Sequence, residues 1–176
     1  MAARAAFSQA VSLDQSRADG WLGLAQAWQV AGERTLAAQA LGRAIQADPT
    51  DPAPWLAYAQ GLAAGRLPPL DLSALHVSSG LQSSIFLTST EPGALYAYAA
   101  ALNRSLAAPY LGLAGWYQRQ GAWSQVTSAL DQAAAREPAN TAIALARAAA
   151  WRQQNRPDLA VTVLTQTLQT TPGAVD

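Results

Sequence analysis

"DGWLGLAQAWQVAGE", residues 19–33, places two tryptophans seven positions apart in a segment of helix-forming composition. That spacing is about two helical turns, so Trp21 and Trp28 are predicted to share one helix face. Between them, Ala25 is small enough to let a second backbone approach closely. Two interpretations are open at this point, an aromatic platform for a ligand or packing between helices.

The chain repeats with a fixed period of about 34 residues, which favours the packing interpretation. Trp21 recurs as Trp55, and Pro138 recurs as Pro172. The same step relates further pairs: Tyr117 and Trp151, Ala114 and Ala148, Leu130 and Leu164, Phe7 and Leu41, Ala10 and Ala44. A period of this length is typical of stacked helical repeats. Because one helix pair cannot bury its apolar face alone, neighbouring pairs must stack, and the tryptophans are interpreted as packing residues.

The order of residue types within one period resembles the tetratricopeptide repeat, a pair of antiparallel helices. The unit 18–51 has the family's large, small, aromatic and proline positions at Trp21, Leu24, Ala25, Trp28, Ala37, Leu41, Ala44 and Pro49. The unit 107–140 matches nearly as well, and the unit 141–174 departs from the pattern at Ala144, Arg147 and Thr167. Residues 1–17 resemble only a second helix. The resemblance implies an all-α fold, a right-handed α-solenoid of antiparallel helix pairs.

Local signals predict where individual helices begin and end. Gly32 and Gly121 can take the left-handed backbone conformation that ends a first helix. The dipeptide Asp51-Pro52 provides a capping side chain followed by proline in a tolerated first-turn position. The remaining acids at predicted helix starts or turns are interpreted in the same way: Asp19, Glu33, Asp48 and Asp158.

An insert interrupts the period. The step from Trp55 to the matching Tyr110 exceeds one period by about 21 positions. The unit 52–106 is therefore predicted to contain a first helix at 52–65, a second helix at 93–105 and an insert at about 67–91. Pro68 and Pro69 should stop the preceding helix. The insert is predicted to be non-helical, with two short strands joined at Gly80 in a β-hairpin-like arrangement, and a short helix at 71–75 is the alternative.

Composition excludes several classes of function. Eleven arginines balance eleven acids without a visible basic face, so we expect no nucleic-acid partner. No cysteine is present, and neither metal-ligand spacing nor a phosphate-binding loop is found, so we expect no metal and no cofactor. No apolar stretch is long enough to be a signal peptide or to insert into a membrane. We expect a soluble chain, either cytoplasmic or, as part of a longer exported chain, periplasmic.

Catalytic chemistry has little support in the sequence. His76 is the only histidine, and no acid is arranged beside it and the nearby serines at 78, 79, 83 and 84. A serine hydrolase using His76 is therefore the least favoured alternative. The sequence predicts that the protein is not an enzyme.

The resemblance implies a binding site instead, because first helices of this family line a concave groove that takes peptides or partner helices. The groove-facing positions of this chain are Leu22, Gln26, Gln29, Leu56, Gln60, Leu111, Gln118, Arg119, Leu145, Arg152 and Gln153. Leucines, amides and two arginines suit an uncharged or mildly acidic extended segment. The family's carboxylate clamp of lysine, asparagine and arginine is missing, since Leu22 and Gln26 occupy clamp positions.

These patterns predict a non-catalytic protein-interaction module, part of a bacterial scaffold or assembly. The alternative is a structural spacer within a larger envelope or secretion protein. The chain opens in the middle of a unit and ends without an extra polar helix, which suggests a segment of a longer protein or an end that self-associates. Self-association would use the apolar stripe of the C-terminal helix: Leu159, Val163, Leu164 and Leu168.

Overall fold

A computed structural model describes residues 2–70 and 91–170, and these ranges form nine α-helices and no strand. The helices are α1 (Ala2–Leu13), α2 (Ala18–Val30), α3 (Arg34–Ala47), α4 (Pro52–Ala63), α5 (Pro92–Leu102), α6 (Ala108–Arg119), α7 (Trp123–Arg136), α8 (Thr141–Gln153) and α9 (Pro157–Thr170). The chain divides into two compact units, Met1–Asn103 and Arg104–Asp176. Within each unit, successive helices pack against one another. The predicted all-α class built from helix pairs is confirmed.

The first unit is held together by a core that centres on α3, α4 and α5. Leu41, Ile45, Trp55 and Tyr58 are fully buried there. The ring of Trp55 meets that of Tyr98 edge to face, with centroids 4.7 Å apart and planes at 61°. This contact packs α4 against α5 although the whole predicted insert lies between the two helices in the sequence.

The tryptophans of α2 lie at helix contacts, although neither is fully buried. Trp21 and Trp28 are half-buried. The guanidinium of Arg4 on α1 lies 4.8 Å from the Trp28 ring centroid, a cation–π contact between α1 and α2. Phe7 packs directly over Gly23, where a β-carbon would overlap the Phe7 ring. The glycine therefore permits the close approach of the Phe7 ring of α1.

The second unit contains two buried clusters. One joins α6, α7 and α8 through Ala114, Val126, Leu130 and Ala150. The other joins Ala107, Ala133 and Ile143. Alanine is frequent in both clusters, and short side chains let the helix backbones approach closely.

The predicted helix ends are found where backbone chemistry requires them. Gly32 and Gly121 have φ values of 80° and 69°, which confirms the left-handed conformation. Asn155, one period after Gly121, takes the same conformation with φ of 57° and was not predicted, although asparagine is the next residue to adopt it after glycine. Asp51 caps α4 by accepting a hydrogen bond from the Ala53 amide at 2.9 Å, as predicted.

The interpretation of the other acids is right in part. Asp19 and Asp158 lie in the first turns of α2 and α9. Asp48 accepts hydrogen bonds from both the amide and the hydroxyl of Thr50 in the turn before α4. Glu33 occupies the N-cap position of α3, but its side chain makes no capping hydrogen bond, so the capping interpretation of Glu33 is wrong. Glutamate is longer than the residues that usually cap a helix from this position.

The chain that leaves α4 folds back onto it. Leu67 is buried and lies against Gly61, and Leu70 approaches Gly42 of α3. The Tyr58 hydroxyl donates to the Pro68 carbonyl and accepts from the Leu70 amide. The predicted hairpin joined at Gly80 and its short-helix alternative, with His76 and the nearby serines, lie outside the described residues.

The apolar stripe predicted on the last helix is not a uniformly exposed face. Val163 is buried at 5% exposure, and Leu159 and Leu164 are half-buried. The exposed apolar residues of α9 are Leu168 and Val161, at 55% and 64%. The reason is that Val163 packs into the second unit, while Leu159 and Leu164 are only partly covered.

Candidate functional site

A depression of about 310 Å³ opens between α6 and α8 in the second unit, and α7 forms its floor. We refer to it as the α6–α8 trough. It is lined by Leu111, Ala114, Gly115 and Gln118 of α6, by Trp123, Val126 and Leu130 of α7, and by Ala146, Ala149, Ala150 and Gln153 of α8. The floor is continuous with the buried cluster that joins these three helices.

Small residues give the trough its depth. A β-carbon added at Gly115 would meet no atom within 4 Å, so the space above this glycine is open. On the opposite side, α8 lines the trough with the short side chains of Ala146 and Ala149. Beneath them, Val126 and Leu130 are 2% and 4% exposed and form an apolar base. The trough therefore leaves open an apolar space that larger side chains on α6 and α8 would fill.

One end of the trough is polar. Gln118 and Gln153 lie in the last turns of α6 and α8, and both side chains are exposed. The structure gives neither amide side chain a hydrogen-bond partner among the residues it describes. Each helix also has an arginine in its last turn, Arg119 on α6 and Arg152 on α8. An apolar base thus ends at two unpartnered amides, and the sequence neighbour of each glutamine is an arginine in the same last turn.

Residues 104–170 have an excess of positive charge, although the whole chain is formally neutral. Residues 104–170 contain six arginines but only three acids, Asp131, Glu137 and Asp158. Two of those acids pair with other arginines, Asp131 with Arg147 at 2.6 Å and Asp158 with Arg156 at 3.2 Å. The helices α6 and α8 contain no acidic residue.

The two arginines at the polar end have no acidic partner in the described part of the chain. The Arg119 guanidinium lies 5.6 Å from the Trp116 ring centroid, a cation–π contact that leaves its charge in place. Arg152 is exposed. The carbonyl ends of α6 and α8 offset part of this charge, because a helix C-terminus carries about half a negative charge. A positive excess remains at this end of the trough.

The predicted groove residues are distributed over both units. Three of them, Leu111, Gln118 and Gln153, line the trough. Of the others, those in the second unit are exposed and lie outside its lining: Arg119, Leu145 and Arg152. In the first unit, the predicted glutamines are exposed, namely Gln26, Gln29 and Gln60. The predicted leucines of that unit are half-buried, namely Leu22 and Leu56.

Sequence reasoning missed the residues that shape the trough. Gly115, Ala146 and Ala149 were not singled out from the sequence. Trp123, in the first turn of α7, was not singled out either. The usable signal was the position of Gly115, one helical turn from both Leu111 and Arg119, which places a gap on the predicted groove-facing side of α6.

Residues 2–70 and 91–170 contain no cluster of three or more histidines, cysteines or acids placed to hold a metal ion. None of the described helices has the length and apolar character needed to cross a membrane. Burial raises the pKa of the Tyr58 hydroxyl. This hydroxyl accepts a hydrogen bond from the Leu70 amide, in the segment that follows α4, so its role is structural.

Two solved structures of MamA are similar to this chain. The first superposes with a TM-score of 0.69 at 15% sequence identity and covers 96% of this chain and 86% of that one. The second has a TM-score of 0.68 at the same identity and covers 96% of this chain and 81% of that one. No family model and no curated protein sequence matches the chain. The helix pairs and these likenesses define the fold as a tetratricopeptide-like helical repeat.

Proposed function

We propose that this chain is a non-catalytic protein-interaction module that holds an extended segment of a partner protein in the α6–α8 trough. The observation that carries the proposal is the combination of an open apolar base with two unpartnered glutamine amides at one end. Interfaces of this kind bind through a buried apolar anchor, and polar groups at the rim fix its orientation.

The small residues of the trough support a binding role over a purely structural one. A helix pair that served only as a spacer would gain stability from larger side chains in this space, because each buried methylene group contributes about 0.8 kcal/mol. Gly115 instead costs about 1 kcal/mol of helix propensity relative to alanine. A glycine in the middle of α6 with open space above it is explained if another chain occupies that space.

Membership of a bacterial scaffold or assembly is part of the same proposal. The likeness to MamA supports the fold, and a module that binds a partner segment without chemistry of its own is suited to a scaffold. A repeat architecture also offers extended surfaces for partners.

Site-directed photocrosslinking in the native cells tests the proposal. A photoreactive amino acid replaces Ala149, exposed in the trough, and a matched variant places it at Ala135, exposed on α7 outside the trough. We expect a discrete crosslinked species from position 149 and none from position 135. The double variant Gln118→Glu with Arg119→Glu should weaken that crosslink without changing the thermal unfolding curve. Equal crosslinking from both positions would overturn the proposal and favour the spacer alternative.

A further inference from the structure

The chemistry of the trough identifies the partner segment more closely. Resting on the proposed function, we infer that the preferred occupant is an extended segment with one large apolar residue and an acidic residue two positions away. The apolar residue enters the α6–α8 trough, and the carboxylate meets Arg119 and Arg152.

The volume of the trough fits one anchoring side chain. At about 310 Å³ it lies at the lower end of the range of roughly 300–1,000 Å³ typical of small-molecule pockets. An amphipathic helix docks through several anchors, which recur at i, i+3 or i+4, and i+7, so it needs space for more than one large side chain. A single leucine or aromatic residue is the better match to an apolar depression of this size.

The unpartnered amides favour an extended backbone. A β-like segment presents free N–H and C=O groups along its length, whereas a helix has already used its own. Gln118 and Gln153 offer both a donor and an acceptor at the rim. Their amides can therefore bond to the main chain of an extended segment, and such bonds do not depend on its side chains.

Charge complementarity selects an acidic residue in the partner. Arg119 and Arg152 have no acidic partner in the described ranges, and neither α6 nor α8 provides one. The surrounding unit has twice as many arginines as acids over residues 104–170. A carboxylate at this end meets two cations, while a lysine or arginine in the same place is repelled.

Helix geometry sets the spacing between anchor and acid. Gly115 marks the open centre of the trough, and Arg119 lies four positions further along the same face of α6. Four helical positions rise about 6 Å. Two positions of an extended chain span about 6.6 Å, and side chains two apart point to the same side. The acid is therefore expected two positions from the anchor.

Titration with peptide pools, followed by NMR of the full chain, tests this inference. The pools are heptapeptides of about 20 Å with a central leucine, a glutamate two positions before or after it, and mixed uncharged residues elsewhere. Matched pools replace the glutamate with glutamine, or the leucine with alanine. The readouts are the backbone amides of Gly115 and Ala149 and the side-chain amides of Gln118 and Gln153.

We expect the glutamate pool to bind about five- to tenfold more tightly than the glutamine pool at low salt, as two exposed charge pairs predict. The difference should shrink at about 0.5 M NaCl. It should also disappear in Arg119→Gln with Arg152→Gln and persist in the control variant Arg34→Gln with Arg43→Gln on α3. The alanine pool should shift none of the four resonances.

The possible failures are distinguishable. Equal affinity for the glutamate and glutamine pools would overturn the acidic preference while leaving binding in the trough intact. Tighter binding of a lactam-bridged helical peptide with the same leucine and glutamate would overturn the extended form. Peptides that shift none of the four resonances would overturn this inference. The proposed function is tested separately, by crosslinking from position 149.

Discussion

The indole Nε1–H of Trp55 donates a hydrogen bond of 3.1 Å to the carbonyl oxygen of Pro49, in the turn that precedes α4. The same bond occurs one period earlier, where Trp21 Nε1–H donates to the Gln15 carbonyl at 2.9 Å. Each tryptophan thus ties its own helix to the turn leading into it. The aromatic residue at this repeat position has a polar role as well as a packing role.

The two tryptophans should differ in what they contribute to stability. Trp55 is fully buried and packs on Tyr98, so Trp55→Phe removes a partner of the Pro49 carbonyl and leaves a small cavity. We expect it to lower the free energy of unfolding by about 2 kcal/mol. Trp21→Phe should cost less than about 1 kcal/mol, because water can replace the bond at this more exposed site. Urea unfolding followed by circular dichroism measures both, and equal losses would contradict this prediction.

Replacing either of two helical glycines with alanine should change the stability of the fold in opposite directions. The space above Gly115 is open, so Gly115→Ala should stabilise the chain by about 0.5–1 kcal/mol through reduced backbone entropy of the unfolded state. A β-carbon at Gly61 would overlap the buried Leu67 side chain, so Gly61→Ala should destabilise by about 1–2 kcal/mol. Thermal unfolding compares the two, and a stabilising Gly61→Ala would show that Leu67 moves aside at little cost.

The Tyr58 hydroxyl should fix the segment that follows α4 through its hydrogen bonds to Pro68 and Leu70. Tyr58→Phe deprives the Pro68 carbonyl and the Leu70 amide of a partner, at a cost of about 1 kcal/mol. We expect hydrogen exchange at the Leu70 amide to accelerate by about fivefold or more. Tyr117→Phe is the control, since Tyr117 packs on the core of the second unit. Unchanged exchange at Leu70 in the Tyr58 variant would refute the anchoring role.

Acid should weaken the turns before α2 and α4. Hydrogen bonds from the Ser16 and Thr50 side chains and amides hold the pKa values of Asp14 and Asp48 below the ordinary value of 3.8. A carboxyl with a lowered folded-state pKa stabilises the fold fully above the unfolded pKa, and this stabilisation is lost as pH falls through the folded pKa. Stability should therefore decline below about pH 4.

Replacing the hydrogen-bond donors tests the origin of that decline. In Ser16→Ala with Thr50→Ala, both carboxyl pKa values should move back toward 3.8, and the loss of stability below about pH 4 should become shallower. The measurements are NMR titration of the Asp14 and Asp48 carboxyls and urea unfolding at a series of pH values. Titration midpoints that do not move would mean that the serine and threonine do not stabilise the charged form.

Sequence alone determined the features that depend on neighbours within a few positions. The left-handed turns at Gly32 and Gly121 and the cap at Asp51 follow from backbone geometry. The repeat period and the family resemblance predicted helix pairs because each pair must cover the apolar face of the next. These local and nearest-neighbour rules were enough for the fold class.

Only the tertiary structure decided which surfaces remained open. Gly115 and Ala149 form one trough because α6 and α8 lie on either side of α7, although a full period separates them in the sequence. Packing buried Val163 and left Leu168 exposed, although both belonged to the same predicted stripe. Tertiary packing also paired Arg147 of α8 with Asp131 of α7 and left Arg119 and Arg152 without an acidic partner among the described residues. The physical reason is that burial and charge pairing depend on helices distant in sequence, whereas the period specifies only that they will pack.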